Sequence, residues 1–104
     1  MNTTIRRYES VDQSRKTELI KKVEEGLLPK FSELPGFHGY SLIDSGDGVV
    51  TSVGFFETAE QCDESSRIAA GWLRDEQLET ALPKAPMITS GDVVVHKTRE
   101  LVQA

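Results

Sequence analysis

Leu19, Ile20, Val23, Leu27, Phe31 and Leu34 recur at intervals of three, four and one, the spacing of a helix with a single apolar stripe. Upstream of it, Ser10 has Gln13 three positions on, a capping-box spacing that would start this helix. Pro29 lies inside the stripe and is expected to bend it, with Gly26 easing the bend, and Pro35-Gly36 ends the segment. A second, smaller stripe runs through Ala59, Cys62, Ser66, Ala69, Ala70 and Leu73. It is started by another capping-box pair, Thr58 and Gln61, and punctuated at its far end by Pro83 and Pro86.

Between and around these helices lie runs of strand character. Residues 4–10 mix β-branched and aromatic residues with charged ones and predict the first strand. Residues 37–44 predict the second, and Ser45-Gly46-Asp47-Gly48 is a turn signal that hands it to a third at 49–57. Asp92 to Lys97, built on Val93-Val94-Val95, predicts the fourth, and residues 99–104 read as a loose tail.

The order strand, helix, strand, strand, helix, strand predicts a ferredoxin-like α+β domain, βαββαβ, spanning 1–104. Right-handed crossovers place both helices on one face of a four-stranded antiparallel sheet. A sheet with one wet face should alternate apolar and polar residues, yet Val49-Val50, Phe55-Phe56 and Val93-Val94-Val95 put apolar groups on both sides. A second copy is the simplest cover, which predicts a homodimer with two-fold symmetry.

Composition narrows the functional classes. A length of 104 residues fits one core and no second domain. The net charge of −5 repels phosphate backbones, and the Lys21-Lys22 pair is followed by Glu24-Glu25, so a nucleic-acid partner is not expected. No segment nears the ~20 apolar residues of a membrane span, and Met1-Asn2-Thr3-Thr4 lacks the apolar core of a signal peptide. A cytoplasmic protein without membrane contact is the expectation. Cys62 is the only cysteine and is read as a small core residue. His38 and His96 are the only histidines, on different strands, and no metal site is expected from them. There is no phosphate-cradling loop and no Gly-x-Ser-x-Gly elbow.

The remaining chemistry rests on a few side chains. Period-two alternation puts His38, Tyr40 and Leu42 on one face of the second strand, Arg6 and Tyr8 on one face of the first, and Ile5 and Arg7 on the other. A histidine titrating near neutrality beside a tyrosine donor could deprotonate a phenolic substrate, although two polar residues on one strand more often sit at an interface or its rim and hydrogen-bond locally. Trp72 lies among Ala69, Ala70 and Gly71, where an indole either lines a cleft or fills core.

The stretches Ile5 to Glu9, Pro35 to Tyr40, Asp44 to Gly48, Val49 to Glu57, Trp72-Leu73 and Val93 to Lys97 resemble the antibiotic biosynthesis monooxygenase-like family, across roughly residues 4–98. The resemblance implies dimeric α/β-barrel subunits with a small-molecule cleft between helices and sheet. It also implies either oxidation of an aromatic or polyphenolic substrate by O2 without a cofactor, or a non-catalytic ligand-binding, stress-response or accessory role. His38 is then the candidate base, Tyr40 and Arg7 the oxyanion partners, and Trp72, Tyr8 and Phe56 the substrate-contacting residues. Haem opening in that family uses a histidine on the second helix and an asparagine on the first strand. Here no histidine lies in 58–82 and the only asparagine is Asn2, so haem opening is not expected.

Overall fold

The computed structural model describes residues 1–99. Strand β1 (Asn2–Tyr8) leads into a composite helical segment. That segment is a 3-10 turn at Gln13–Arg15, α1 (Lys16–Lys22), a π-helical turn at Val23–Leu27 and α2 (Leu28–Ser32). The hairpin β2 (Phe37–Gly46) and β3 (Val49–Phe56) follows, then α3 (Ala59–Asp75) and β4 (Met87–Asp92). The four strands form one antiparallel sheet in the order β2-β3-β1-β4, the α+β ferredoxin-like arrangement expected.

Both helical segments cover one face. Thr4, Arg6 and Tyr8 of β1 and Val50, Ser52 and Phe56 of β3 are buried beneath Leu19, Val23, Leu27 and Phe31 from one side and Ala69 and Trp72 from the other. The apolar spacing 19, 23, 27, 31 is a strict period of four, longer than the 3.6 of an α-helix. The π turn, where the Leu28 amide donates to the Val23 carbonyl, supplies the wider winding that keeps all four residues in the core. Pro29 then falls in the first turn of α2, where a missing amide costs least.

The physical signals at element ends divide. Thr58 and Gln61 form the expected reciprocal cap: the Thr58 amide donates to Gln61 Oε1 at 3.0 Å and the Gln61 amide to Thr58 Oγ1 at 3.2 Å. Ser10 does not cap the first helix. It stands at φ 58, and Asp12 takes the role by accepting from the Ser14 amide at 3.0 Å. Ile20 is exposed, off the stripe. On α3 the buried face is Cys62, Ser65, Ala69 and Trp72, rotated from the expected one because Ala59 and Ala70 face outward.

The fourth strand is corrected from 92–97 to Met87–Asp92. β-branched residues favour strands only where a neighbour offers rungs. β1 gives its last rung at Asn2, opposite Asp92, with one further bond from the Val93 amide to the Met1 carbonyl. Val94 and Val95 lie beyond it, 87% and 88% exposed. Of the tail expected at 99–104, residues 100–104 lie outside the described residues.

The open face carries a cross-strand patch. Ser41, Val53, Ile5 and Thr89 lie abreast, as do Ile43, Thr51, Arg7 and Met87, with Phe55 beside Thr3 in the next rung. Ile43 and Met87 are exposed large apolar residues. No helix among the described residues is long and apolar enough to cross a membrane.

Candidate functional site

Where the inner face of the sheet meets the helices, packing leaves an inner cavity of about 30 Å³. Arg6 and Tyr8 of β1, Tyr40 and Leu42 of β2, and Val50 and Ser52 of β3 form its floor. Leu19, Leu27, Ala69 and Leu73 close it from the helices. An outer cleft of about 440 Å³ shares Arg6, Tyr8, Leu73 and Leu82 with that cavity. It continues past Ser66 and Arg74 to the 79–86 connection and Ile88. The connection is anchored by Leu78 and Ala81, both fully buried, and by a 3.0 Å bond from the Asp12 amide to the Ala81 carbonyl.

Arg6 dominates the electrostatics. It is only 3% exposed and lies opposite Ser52 in the β1–β3 register. Nη1 donates to Ser66 Oγ at 3.0 Å, and the guanidinium carbon lies 5.6 Å from the Phe31 ring centroid, a cation–π contact. Its Nε makes no well-formed hydrogen bond, and neither does the buried Ser52 hydroxyl, although the Tyr8 and Tyr40 phenols lie close enough to interact with Arg6, and Tyr40 with Ser52. No described carboxylate forms an ion pair with it. A charge taken out of water without a counter-ion costs on the order of several kcal/mol, so an unpaired buried guanidinium is a stored demand for an anion.

The two phenols beside it do not meet that demand. Burial raises the pKa of Tyr8 and of Tyr40 above the ordinary tyrosine range, and the Arg6 charge only partly opposes this. Both stay neutral and able to donate. Tyr40 is held edge-on by Phe31, with ring centroids 5.2 Å apart.

The structure separates the residues singled out from the sequence. Tyr8 and Tyr40 reach the inner cavity; His38, Arg7, Trp72 and Phe56 line neither it nor the outer cleft. His38 leaves Tyr40's face because the β2–β3 register shifts between Phe37 and Gly39, making it the extra residue of a bulge. Its Nε2 lies 2.6 Å from Glu57 Oε2, and that contact lowers the Glu57 pKa. His38 and Tyr40 both border a more open concavity with Phe55 and His96, on the other side of the strand. Arg7 points to the open face, 3.5 Å from Glu9. Trp72 is core, with its Nε1 about 3.0 Å from where a Cβ on Gly26 would sit. Phe56 is fully buried against Phe31 and Phe37.

Arg6, which alternation puts on the Tyr8 face of β1, is not among the site residues expected from the sequence, because a charged strand residue is usually solvated. Cys62 is buried and its thiol pKa is raised by that burial and by Asp63, as an inert core cysteine requires. Among the described residues, no group of three or more His, Cys, Asp or Glu side chains could hold a metal ion.

Solved structures share this fold over most of the chain. A Nitrosomonas europaea protein of unknown function superposes with TM-score 0.75 at 17% identity, over 95% of this chain and 94% of its own. A Streptomyces coelicolor monooxygenase, solved with the ligand nanaomycin D, gives TM-score 0.71 at 18% identity, over 95% and 92%. The fold is that of the antibiotic biosynthesis monooxygenase-like proteins. The heme-degrader MhuD of Mycobacterium tuberculosis, with two hemes in its active site, has the same fold, with TM-score 0.70 at 18% identity over 94% of this chain and 100% of its own. No protein-family model and no curated protein matches the chain.

Proposed function

We propose that this domain binds a small aromatic or polyphenolic molecule in the outer cleft and oxidises it with O2, without a cofactor. The observation that carries the reading is the cleft itself. Its volume of about 440 Å³ falls within the ~300–1,000 Å³ of small-molecule sites, and its walls combine an apolar surface from Ala70, Leu73, Leu82 and Ile88 with the buried Arg6 and Tyr8. Similarity of fold to a monooxygenase solved with nanaomycin D and to a heme-degrader supports small-ligand binding by a domain of this fold.

In such a reaction the ionised substrate supplies the electrons. A phenol ring C–H becomes a quinone carbonyl, the second oxygen atom leaves as water, and O2 accepts four electrons. Tyr8 and Tyr40 act as neutral donors to a substrate oxygen that reaches from the outer cleft into the inner cavity, beside Leu19, Leu27 and Leu42.

An oxygen electrode tests this with 1-naphthol and substituted hydroquinones. Uptake above the uncatalysed rate is the expected result, reduced by about 10- to 100-fold in Tyr40→Phe. His38→Ala should leave uptake unchanged, because His38 does not line the cleft. No uptake with any phenol leaves the non-catalytic binding reading, which the placement of both histidines away from the cleft favours.

A second copy over the open face is the proposed cover for Ile5, Ile43, Val53, Phe55 and Met87. Sedimentation equilibrium should return a dimer for the natural chain and a monomer for Val53→Lys. A monomeric natural chain at micromolar concentration would remove this part of the account.

A further inference from the structure

The unpaired guanidinium narrows the ligand class. We propose that Arg6 is an anion receptor that makes the cleft selective for aromatic molecules bearing an ionised acidic oxygen, which docks in the inner cavity while the ring lies in the outer cleft. This inference rests on the small-molecule reading above and specifies its ligand.

Four observations support it. Arg6 lines both spaces, so it is the point where a group entering from the outer cleft meets the inner cavity. The inner cavity of about 30 Å³ has the volume of a water molecule or a carboxyl-sized group and is too small for a ring. With Nη1 engaged by Ser66, the free Nε belongs to the edge through which a guanidinium takes a carboxylate in two parallel hydrogen bonds. The Ser52 hydroxyl, directly across the register from Arg6 and beside the Tyr40 phenol, makes no well-formed hydrogen bond and can turn to donate to the same oxygen.

The charge around the cleft agrees. Arg6, Arg74 and Lys84 line the outer cleft against a single carboxylate, Glu79, three cations to one anion on a chain whose net charge is −5. An acidic chain that gathers positive charge at its apolar cleft attracts small anions there. Phe31 lies against the guanidinium without supplying a counter-charge. A trapped water could satisfy the Arg6 Nε and the Ser52 hydroxyl as hydrogen-bonding groups, but it would leave the guanidinium charge uncompensated.

Isothermal titration of the full chain at pH 7 and fixed ionic strength tests this with 2-naphthoate and its neutral isostere 2-naphthamide. The natural chain should bind the acid at least about tenfold more tightly than the amide, as a charge-assisted pair requires. Arg6→Met, which keeps the length of the apolar stem, should bind the two alike. Arg6→Lys should retain part of the preference, and it serves as the test variant if Arg6→Met does not fold. Equal binding of acid and amide by the natural chain overturns the role of Arg6 while leaving the cleft as a ligand site. A preference that survives in Arg6→Met assigns it to Arg74 or Lys84 and overturns the inference. If neither probe binds, the cleft reading and this inference fall together.

Discussion

Phe31→Ala is expected to lower the unfolding free energy by about 3–5 kcal/mol, the range for removing a fully buried aromatic ring. Phe31 is 0% exposed and meets Tyr40 and Phe56 edge-on while lying beneath the Arg6 guanidinium. Its loss therefore opens a cavity and also releases the two side chains that define the inner cavity. Phe31→Leu refills most of the volume and should cost less than half as much. It still removes the cation–π contact and the edge that orients Tyr40. Urea denaturation of both variants measures the stabilities. A loss below 1 kcal/mol for Phe31→Ala would mean that helix and sheet do not pack through this ring.

Gly36→Ala carries the second large effect, about 1.5–4 kcal/mol. Gly36 has φ 78, a left-handed conformation that costs a residue with a Cβ roughly 1–2 kcal/mol. A Cβ there would also fall on the Gln61 carboxamide, the group that completes the α3 cap by accepting from the Thr58 amide. Losing a cap adds about 0.5–2 kcal/mol. The two contributions separate in a double-mutant cycle. Once Gln61→Ala has already removed the carboxamide, Gly36→Ala should cost only the backbone part, and the two changes should combine to less than their sum. Strict additivity would show that the Gly36 turn and the α3 cap are independent.

These two sites illustrate what the chain's pattern reveals. The βαββαβ order, the hairpin centred on residues 45–48 and the Thr58–Gln61 cap follow from local rules of period, turn chemistry and capping, which act over a few residues. The stripe Leu19, Val23, Leu27, Phe31 is equally local, although the π turn that keeps it in phase leaves no mark beyond the spacing itself. What local rules miss is set by partners far along the chain. Val93-Val94-Val95 has the strongest strand character in the sequence, yet β1 offers it no further rungs, so Met87–Asp92 pairs instead. Likewise, one extra residue at His38 moves that side chain away from Tyr40, and alternation cannot register a bulge.

The site was legible in part. Tyr8 and Tyr40 were placed by alternation and reach the cavity, and Arg6 was correctly put on the Tyr8 face. Arg7, the oxyanion partner that the resemblance implies, has its side chain half exposed on the opposite face. The difference between the two arginines is burial without a counter-ion, a property of the assembled core rather than of either residue's neighbours. Leu78 and Ala81, which hold the wall of the outer cleft, lie beyond the periodic part of α3 and gave no signal at all.

Binding of small molecules between Arg6 and the 79–86 connection can be followed by amide chemical-shift mapping of the labelled chain during titration with 2-naphthoate. Shifts are expected to cluster at Arg6, Tyr8, Ser66, Leu73, Arg74 and the 79–86 connection, around the outer cleft. Shifts confined to His38, Phe55 and His96 would place the site at the open concavity and contradict binding in the outer cleft.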